Sequence, residues 1–305
     1  MIPFSVSGNG GARRLLVTFC LAGLLAVSAG FSARAQEAVE AFADPSRLVS
    51  IGGSLTEIIY ALGEEEKLIA RDSTSIFPQE ALELPDVGYM RALSPEGVLS
   101  VNPSAILALE GSGPPEAMEV LQKASIPMVL VPETFDLAGI IGKVETVGAA
   151  LGIEDKAAEL AEKIRQDVGA AEALTADVTE RKRVLFILSM QGGRILASGT
   201  GTAANGIITM AGGVNAITDY QGYKQLTDEA IIEARPDVVL MMDRGGDLDP
   251  AGEDVLAHPA LASTPAAKNK ALVRMDGAYL LGFGPRTASA VRDLSTALYG
   301  ASIAN

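Results

Sequence analysis

Thiols and imidazoles are almost absent from this 305-residue sequence, which contains one cysteine and one histidine. A single histidine cannot build the usual zinc site of several imidazoles. His258, in "AHPAL", also lacks the acidic and nucleophilic neighbours that a catalytic triad needs. We expect His258 to be structural or exposed. Cys20 lies in a segment that we expect to be removed, so the mature chain has neither a disulfide nor thiolate chemistry.

Long apolar runs are also scarce, and the longest, residues 15–27, lies close to the amino terminus. Two arginines precede it, and Ala33-Arg34-Ala35 offers a small-x-small cleavage site, which is the layout of a secretory signal peptide. The run is shorter than the roughly 20 residues of a membrane span. A bulky Phe19 before Cys20 does not fit a lipoprotein signal. We predict cleavage after residues 1–35 and a periplasmic protein without stable membrane insertion.

Basic residues are the minority charge, with 24 lysines and arginines against 38 acidic residues and a net charge of −14. Residues 1–35 contain three arginines and no acid, so the predicted mature chain carries 21 basic residues and a net charge of −17. This acidity argues against nucleic acid or an anionic membrane surface as a partner. About 270 mature residues suffice for two domains of ordinary size, and we expect a monomer.

Short apolar strands alternate with helical segments throughout the rest of the chain. Gly52-Gly53 and the sequence "SLTE" (54–57) predict a helix that begins with a capping box. The alternation is typical of parallel α/β architecture. Strands are predicted at 47–51, 68–70, 105–109, 128–131, 184–188, 238–242 and 272–275, with later helices at 202–210 and 286–299.

An internal repeat indicates that the chain forms two similar α/β lobes with mainly parallel sheets. "LSPEGVLSVNPSAILAL" (93–109) aligns without a gap on "LTDEAIIEARPDVVLMM" (226–242), and Gly88-Tyr89 has an echo in Gly222-Tyr223. Between them, apolar residues recur at helical spacing, with a break or fresh start near Gly152. We therefore predict two lobes joined by a long helix, with a ligand cleft between them. The predicted boundaries are a signal peptide at 1–35, an N-terminal lobe at 36–142, a connecting helix at 143–178 and a C-terminal lobe at 179–305.

A tyrosine and an arginine stand two residues apart in a loop marked by glycine and proline, "PDVGYMRALSPEG" (85–97). If the loop is extended, Tyr89 and Arg91 point to the same side. A phenol is a poor ligand while protonated, but ferric iron stabilises the phenolate and a nearby guanidinium lowers its pKa. Asp243-Arg244 of the second lobe would supply another cation. The alternative is that Tyr89 is a packing or surface residue.

Five segments resemble the periplasmic haem-binding proteins of bacterial haem ABC importers. They are "RLVSIGGSLTEIIYALG", "VGYMRALSPEGVLSVNPSAIL", "GTGTAANGIITMAGGVNA", "GYKQLTDEAIIEARPDVVL" and "LLGFGPRTASAVRDL". Those proteins form a helical-backbone class together with the binding proteins for cobalamin and siderophores. The resemblance implies a non-enzymatic carrier for iron acquisition, with haem b as the transported ligand between the lobes and its iron held by one tyrosinate.

The resemblance also implies roles for individual residues. Tyr89 matches the iron ligand, Arg91 its stabilising neighbour, and Arg244 an arginine that some members use from the opposite lobe. Some relatives place a histidine in the loop that contains Met190 here, so histidine ligation and a stacked pair of haems are in doubt. Met190 is a weak candidate for a second ligand, with gap-filling as the alternative. Tyr223 is a candidate haem contact as the pseudo-symmetric partner of Tyr89.

The resemblance further implies that the protein docks on a permease, which works with ATPase subunits, through one acidic residue in each lobe. Glu116 fits the first lobe, and Glu253 or Asp254 the second. The alternative function keeps the same fold with a ferric siderophore or cobalamin as cargo. An exported α/β enzyme is a third possibility, but no nucleophile–base constellation in the sequence supports it.

Overall fold

The computed structural model describes residues 39–243 and 252–303, which form ten strands and twelve α-helices. The predicted signal peptide and Arg244 lie outside the described residues. None of the helices within these two ranges is long and apolar enough to cross a membrane.

The N-terminal lobe is built on a four-stranded sheet in the order β2-β1-β3-β4, in which all neighbouring strands are parallel. Each strand lies within one residue of its predicted position. Its elements are β1 (Leu48–Ile51), α1 (Gly53–Ala61), β2 (Leu68–Arg71), α2 (Pro95–Ser100), β3 (Ala105–Leu109), α3 (Pro115–Lys123) and β4 (Met128–Val131).

The predicted capping box at the start of α1 is wrong. The helix begins at Gly53, and the residue before it, Gly52, provides no side-chain cap. The buried hydroxyl of Ser54 has no hydrogen-bond partner. Glu57 does not return to the helix start but bonds to Arg286 of the other lobe. The amides of Gly52 and Gly53 donate instead to side chains of the loop after β2, so the cap comes from a neighbouring segment.

The helical region between the sheets is divided at Gly152. It consists of α4 (Leu137–Leu151) and α5 (Glu154–Ala173), and it begins six residues before the predicted start at residue 143. Gly152 ends α4 in the left-handed conformation, with φ of 67°, which glycine adopts without steric cost. Helix α4 packs on α1 and β4 of the first lobe, while α5 packs on the last helix of the chain.

The C-terminal lobe contains a mixed six-stranded sheet in the order β10-β9-β5-β6-β8, with β7 paired to the start of β5. Strands β5, β7, β9 and β10 are parallel, whereas β6 is antiparallel to both β5 and β8. Its elements are β5 (Arg183–Gln191), β6 (Arg194–Ser198), α6 (Ala203–Met210), β7 (Val214–Asn215), β8 (Tyr223–Gln225), α7 (Asp228–Ala234), β9 (Val238–Asp243), α8 (Gly252–Leu256), α9 (Pro259–Ala262), α10 (Pro265–Lys268), β10 (Leu272–Asp276), α11 (Gly277–Leu281) and α12 (Thr287–Tyr299).

The internal repeat predicted from the sequence corresponds to equivalent structure in the two lobes. Ser94 caps α2 by accepting a hydrogen bond from the amide of Gly97, and Thr227 caps α7 by accepting one from Ala230. Each helix leads into a buried parallel strand, β3 or β9. Each lobe therefore contains a helix capped by a hydroxyl side chain and followed by a buried parallel strand.

One hydrophobic core extends through both lobes. Val184 and Phe186 of β5 belong to it, together with residues of the N-terminal sheet, α4, α5 and α12. The alternate β5 residues, Leu185 and Ile187, face a second cluster on the other side of the sheet. Because the lobes share buried apolar side chains, moving them apart would expose apolar surface to water, which opposes wide hinge opening.

Candidate functional site

The loop that carries Tyr89 is attached to the carboxyl edge of the N-terminal sheet. Arg71, the last residue of β2, forms a parallel bridge with Asp86. Beyond it, the amide of Ser73 donates to the carbonyl of Gly88 at 3.0 Å. Gly88 has a φ of 106°, a conformation that favours glycine. The chain thus reaches Tyr89 directly above the end of β2, where ligands of parallel sheets bind.

A second set of bonds holds the far side of the same loop. The amide of Gly113 donates to the carbonyl of Met90, and the amide of Leu93 donates to the carbonyl of Gly113, both at 2.8 Å. Met90 and Leu93 are buried, whereas 48% of Tyr89 is exposed. The predicted extended loop is instead a turn, closed by the amide of Ala92 and the carbonyl of Tyr89 at 2.8 Å. The turn still exposes both predicted functional side chains, Tyr89 and Arg91.

Tyr223 lies in the opposite lobe at the start of β8, with its ring centroid 6.4 Å from that of Phe186. Its hydroxyl is close to the hydroxyl of Thr202 and the amide of Ala204, at the amino end of α6. Burial raises the pKa of Tyr223, while Thr202, the charge of Arg91 and the Ala204 amide oppose the rise. The positive charge of Arg91, in the N-terminal lobe, thus acts on Tyr223 of the C-terminal lobe.

Tyr89, Arg91 and Tyr223 are the candidate ligand-binding side chains of this region. Tyr89 offers an exposed phenol, Arg91 an exposed guanidinium two residues away, and Tyr223 a partly buried phenol in the other lobe. Phenolate oxygen is a ligand for ferric iron. Among the described residues, no group of three or more His, Cys, Asp or Glu could hold a metal ion.

A second interlobe contact escaped the sequence analysis. Arg286, which precedes α12, donates to both carboxylate oxygens of Glu57 in α1, at 2.9 and 2.5 Å. Its guanidinium also lies 3.7 Å from the ring centroid of Phe77 and 5.3 Å from that of Tyr279. Burial, followed by the hydrogen bond to Asp293, raises the pKa of Tyr279 to about 12. No local pattern connects residues 229 positions apart, so only the structure reveals this contact.

The structure does not bring Met190 to this group. Met190 lies in β5 opposite Ile195 of β6 and packs against the second hydrophobic cluster. Tyr223 packs against the shared core, which lies on the other face of the sheet. These contacts are those of a residue that fills a gap. Arg244 follows Asp243 at the end of β9 and lies outside the described residues.

The predicted docking residues are exposed at the first turns of two helices. Glu116 is in the first turn of α3 and lines a surface groove of about 550 Å³ together with Glu110, Glu119 and Leu130. Glu253 is in the first turn of α8.

His258 is structural, as expected. Its Nδ1 accepts from the amide of Ala260, and its Nε2 lies 2.9 Å from the carbonyl oxygen of Gly193. A neutral imidazole satisfies both bonds by donating from Nε2, and it ties the β5–β6 turn to α9.

Comparison with known proteins places this geometry in context. The structure of the periplasmic heme-binding protein BhuT in complex with two hemes is 38% identical, with a TM-score of 0.78 over 83% of this chain and 97% of that one. The uncharacterized ABC transporter substrate-binding lipoprotein YvrC of Bacillus subtilis is 28% identical over 84% of this chain and 81% of the relative. A vitamin B12-binding protein of Pectobacterium atrosepticum is 27% identical over 66% of this chain and 73% of its own length.

These relatives are substrate-binding proteins, so the chain is a binding component of an ABC transporter and not an enzyme. The two-lobed α/β fold is common to the haem and vitamin B12 branches. The model of the family described as periplasmic binding protein matches residues 48–279. The chain belongs to the periplasmic binding protein family.

Proposed function

We propose that this protein captures haem b in the cleft between its lobes through a bond from the Tyr89 oxygen to ferric iron. It then delivers the haem to the permease and ATPase subunits of an ABC importer. The observation that carries the proposal is the exposed Tyr89 at the edge of the N-terminal sheet, in a loop fixed on both sides by backbone hydrogen bonds, with the exposed Arg91 two residues away. The 38% identity with a haem-binding protein of the same fold supports it.

The two tyrosines have different environments, and this difference assigns their roles. Tyr223 is half-buried, and burial raises its pKa, which disfavours the phenolate that iron requires. Tyr89 is exposed on a turn with Arg91 two residues away. Tyr89 is therefore the iron ligand, Arg91 stabilises its phenolate, and Tyr223 contacts the haem from the opposite lobe. Arg244 supplies a second cation, whereas Met190, which packs against the second hydrophobic cluster, takes no part in the proposed site.

A hemin titration followed by absorption spectroscopy tests the ligand assignment. The wild-type protein is expected to give a high-spin ferric tyrosinate spectrum. Tyr89→Phe should abolish this spectrum and weaken binding by more than about 100-fold, since even the loss of an outer partner of a metal ligand costs 10- to 100-fold. Tyr223→Phe is the matched control, because it removes the same atom from the opposite lobe. An unchanged spectrum in Tyr89→Phe would reject the assignment.

The alternative cargo is cobalamin or a ferric siderophore, which the vitamin B12-binding relative favours. An anionic siderophore complex usually requires several basic residues, and this site offers Arg91 and the predicted Arg244. Competition between hemin, cobalamin and a ferric siderophore in one titration decides the matter. If cobalamin or the siderophore displaces hemin and binds more tightly, that competitor is the cargo and the haem proposal is wrong.

Delivery requires a surface that the permease recognises, and we assign it to Glu116 on the first lobe and Glu253 on the second. Both carboxylates are exposed at helix amino ends, from which they can reach basic residues of a partner. Charge reversal at both positions should leave hemin binding unchanged and impair uptake in cells that depend on haem iron. Cleavage of residues 1–35 and a monomeric state in solution stay predictions.

A further inference from the structure

Exposed apolar side chains are concentrated in one stretch of the sequence that ends at Tyr89. Among the described residues, nine large apolar side chains are exposed, and four of them lie between positions 76 and 89: Ile76, Phe77, Leu82 and Tyr89. Phe77 stands out because 42% of it is exposed although the Arg286 guanidinium already lies against its ring.

The orientation of the Phe77 ring is fixed through a buried carboxylate. Glu57, with a side chain only 8% exposed, binds Arg286 through two hydrogen bonds. The carbon at the centre of the Arg286 guanidinium lies 3.7 Å from the centroid of Phe77, which is close stacking. The Tyr279 ring, 5.3 Å away, further restricts Arg286. Glu57 and Arg286 thus form a support for one face of Phe77.

Phe77 is also tied to the Tyr89 loop. The segment leading to it, residues 73–76, bonds to that loop through the amide of Ser73 and the carbonyl of Gly88. The hydroxyl of Thr74 reaches the sulfur of Met90 at 3.9 Å. Phe77 and Tyr89 therefore rise from adjacent loops at one edge of the sheet, and Phe77 contacts the opposite lobe through Arg286.

We propose that Phe77 is a ligand contact whose free ring face packs against the apolar macrocycle of a metal tetrapyrrole. The Glu57–Arg286 pair is a positioning unit that holds the ring in place. This inference rests on the proposed function, because it assumes that Tyr89 binds the central metal of the same molecule. It adds a recognition element for the flat apolar part of the ligand, which an iron–oxygen bond alone does not select.

Preorganisation explains why an aromatic residue would be supported in this way. A freely rotating side chain loses conformational freedom when a ligand immobilises it, and that loss reduces affinity. Phe77 is already stacked on Arg286, so little of this cost remains. Covering the exposed part of a phenylalanine ring and adding a ring–ring contact are together worth about tenfold in affinity.

Hemin titration of Phe77→Ala tests the contact. We expect binding to weaken about tenfold while the ferric tyrosinate spectrum persists, since Tyr89 is untouched. Phe77→Leu should recover part of the loss. Ile232→Ala is the matched control, because Ile232 is 47% exposed and belongs to α7 of the other lobe. Unchanged affinity in Phe77→Ala, or an equal loss in Ile232→Ala, would overturn the proposal.

A double-mutant cycle tests the positioning role of Glu57. Glu57→Gln preserves the shape of the side chain but weakens its hold on Arg286, and we expect about threefold weaker hemin binding. In the Phe77→Ala background the same change should have no further effect, because there is no ring left to position. Equal losses in both backgrounds would show that Glu57 acts only on overall structure.

The two levels of the proposal fail in different ways. If wild-type protein gives no tyrosinate spectrum with hemin, the proposed function fails before Phe77 is considered. If the spectrum appears and Phe77→Ala binds as tightly as wild type, only the macrocycle contact is wrong.

Discussion

Lys143 allows a quantitative test of how a buried ion pair stabilises the packing of α4. Its side chain is fully buried in α4, and its Nζ lies 3.2 Å from Oε1 of Glu133, which is 15% exposed. Burial lowers the pKa of Lys143, opposed by the negative charges of Glu133 and Glu57. Lys143→Met would keep the side-chain length but leave Glu133 without its partner. Breaking a buried pair from one side costs about 3–5 kcal/mol. We expect about 3 kcal/mol because Glu133 retains some contact with water.

Urea and thermal unfolding of four proteins measure this effect: the wild type, Lys143→Met, Glu133→Leu and the double variant. A loss of about 3 kcal/mol corresponds to a fall in melting temperature of roughly 6–12 °C for a domain of this size. The double variant should return to within about 1 kcal/mol of the wild type, since an apolar pair of similar volume replaces a buried ion pair at little net cost. Additive losses in the double variant would refute the reasoning.

The change of stability with pH tests the burial of Lys143 independently, because its direction is fixed by the pKa shift. The pKa of Lys143 is lowered in the folded state from an ordinary value of 10.5. Between the lowered pKa of the folded state and the ordinary pKa of the unfolded state, the unfolded chain binds more protons than the folded chain. Stability therefore rises with pH in that range. The wild type should therefore gain stability relative to Lys143→Met as the pH approaches 10.5. A constant difference across this range would contradict the assigned shift.

Three further substitutions test separate features by unfolding. Ser54→Ala should raise the free energy of unfolding by about 1 kcal/mol, because it removes a buried hydroxyl without a partner. Gly206→Ala should lower it by about 1–3 kcal/mol, since the added Cβ would lie 2.2 Å from the Phe135 carbonyl oxygen of the other lobe. Glu64→Gln should be less stable than wild type at neutral pH. Hydrogen bonds from Lys156 and Lys67 lower the pKa of Glu64, so its contribution is present above about pH 4.5 and is lost as the pH falls through the lowered value. Each explanation would be contradicted by its own result: a Ser54→Ala variant with the stability of the wild type, a Gly206→Ala variant with no loss of stability, or a stability difference between Glu64→Gln and the wild type that does not change with pH.

Local sequence signals predicted most of the regular structure because they depend on neighbouring residues. All four strands of the N-terminal sheet were predicted, and so were β5, β9 and β10, whereas the short parallel strand β7 was not. The β5–β6 hairpin was missed although Gly192-Gly193, both with positive φ, is a recognised two-residue turn signal. The resemblance predicted a loop with a candidate ligand, Met190, in this segment, and no strand was predicted beyond the glycines, where β6 lies.

The prediction of a capping box was wrong because the start of α1 is capped by a segment distant from it in the sequence. Ser54 and Glu57 have the right types at the right spacing, but the loop after β2 bonds the first amides of α1. Glu57 is consequently available to Arg286, and both residues gain interlobe roles. The candidate site shows the same limit. Tyr89 and Arg91 were predicted from their loop, whereas the effect of the Arg91 charge on Tyr223 depends on how two distant segments fold together.

The shared core separates residues that act on binding from residues that act on folding. Tyr89 and Phe77 are about half exposed and lie above the sheet edge, so their removal should change affinity with little effect on unfolding. Gly206 packs against Phe135 of the other lobe, and Lys143 is buried against Glu133, so their substitution should change stability first. Because these contacts are buried, they form as the chain folds and need no ligand. The exposed side chains, in contrast, lose solvent contact only when a ligand covers them, so their contribution should appear in affinity.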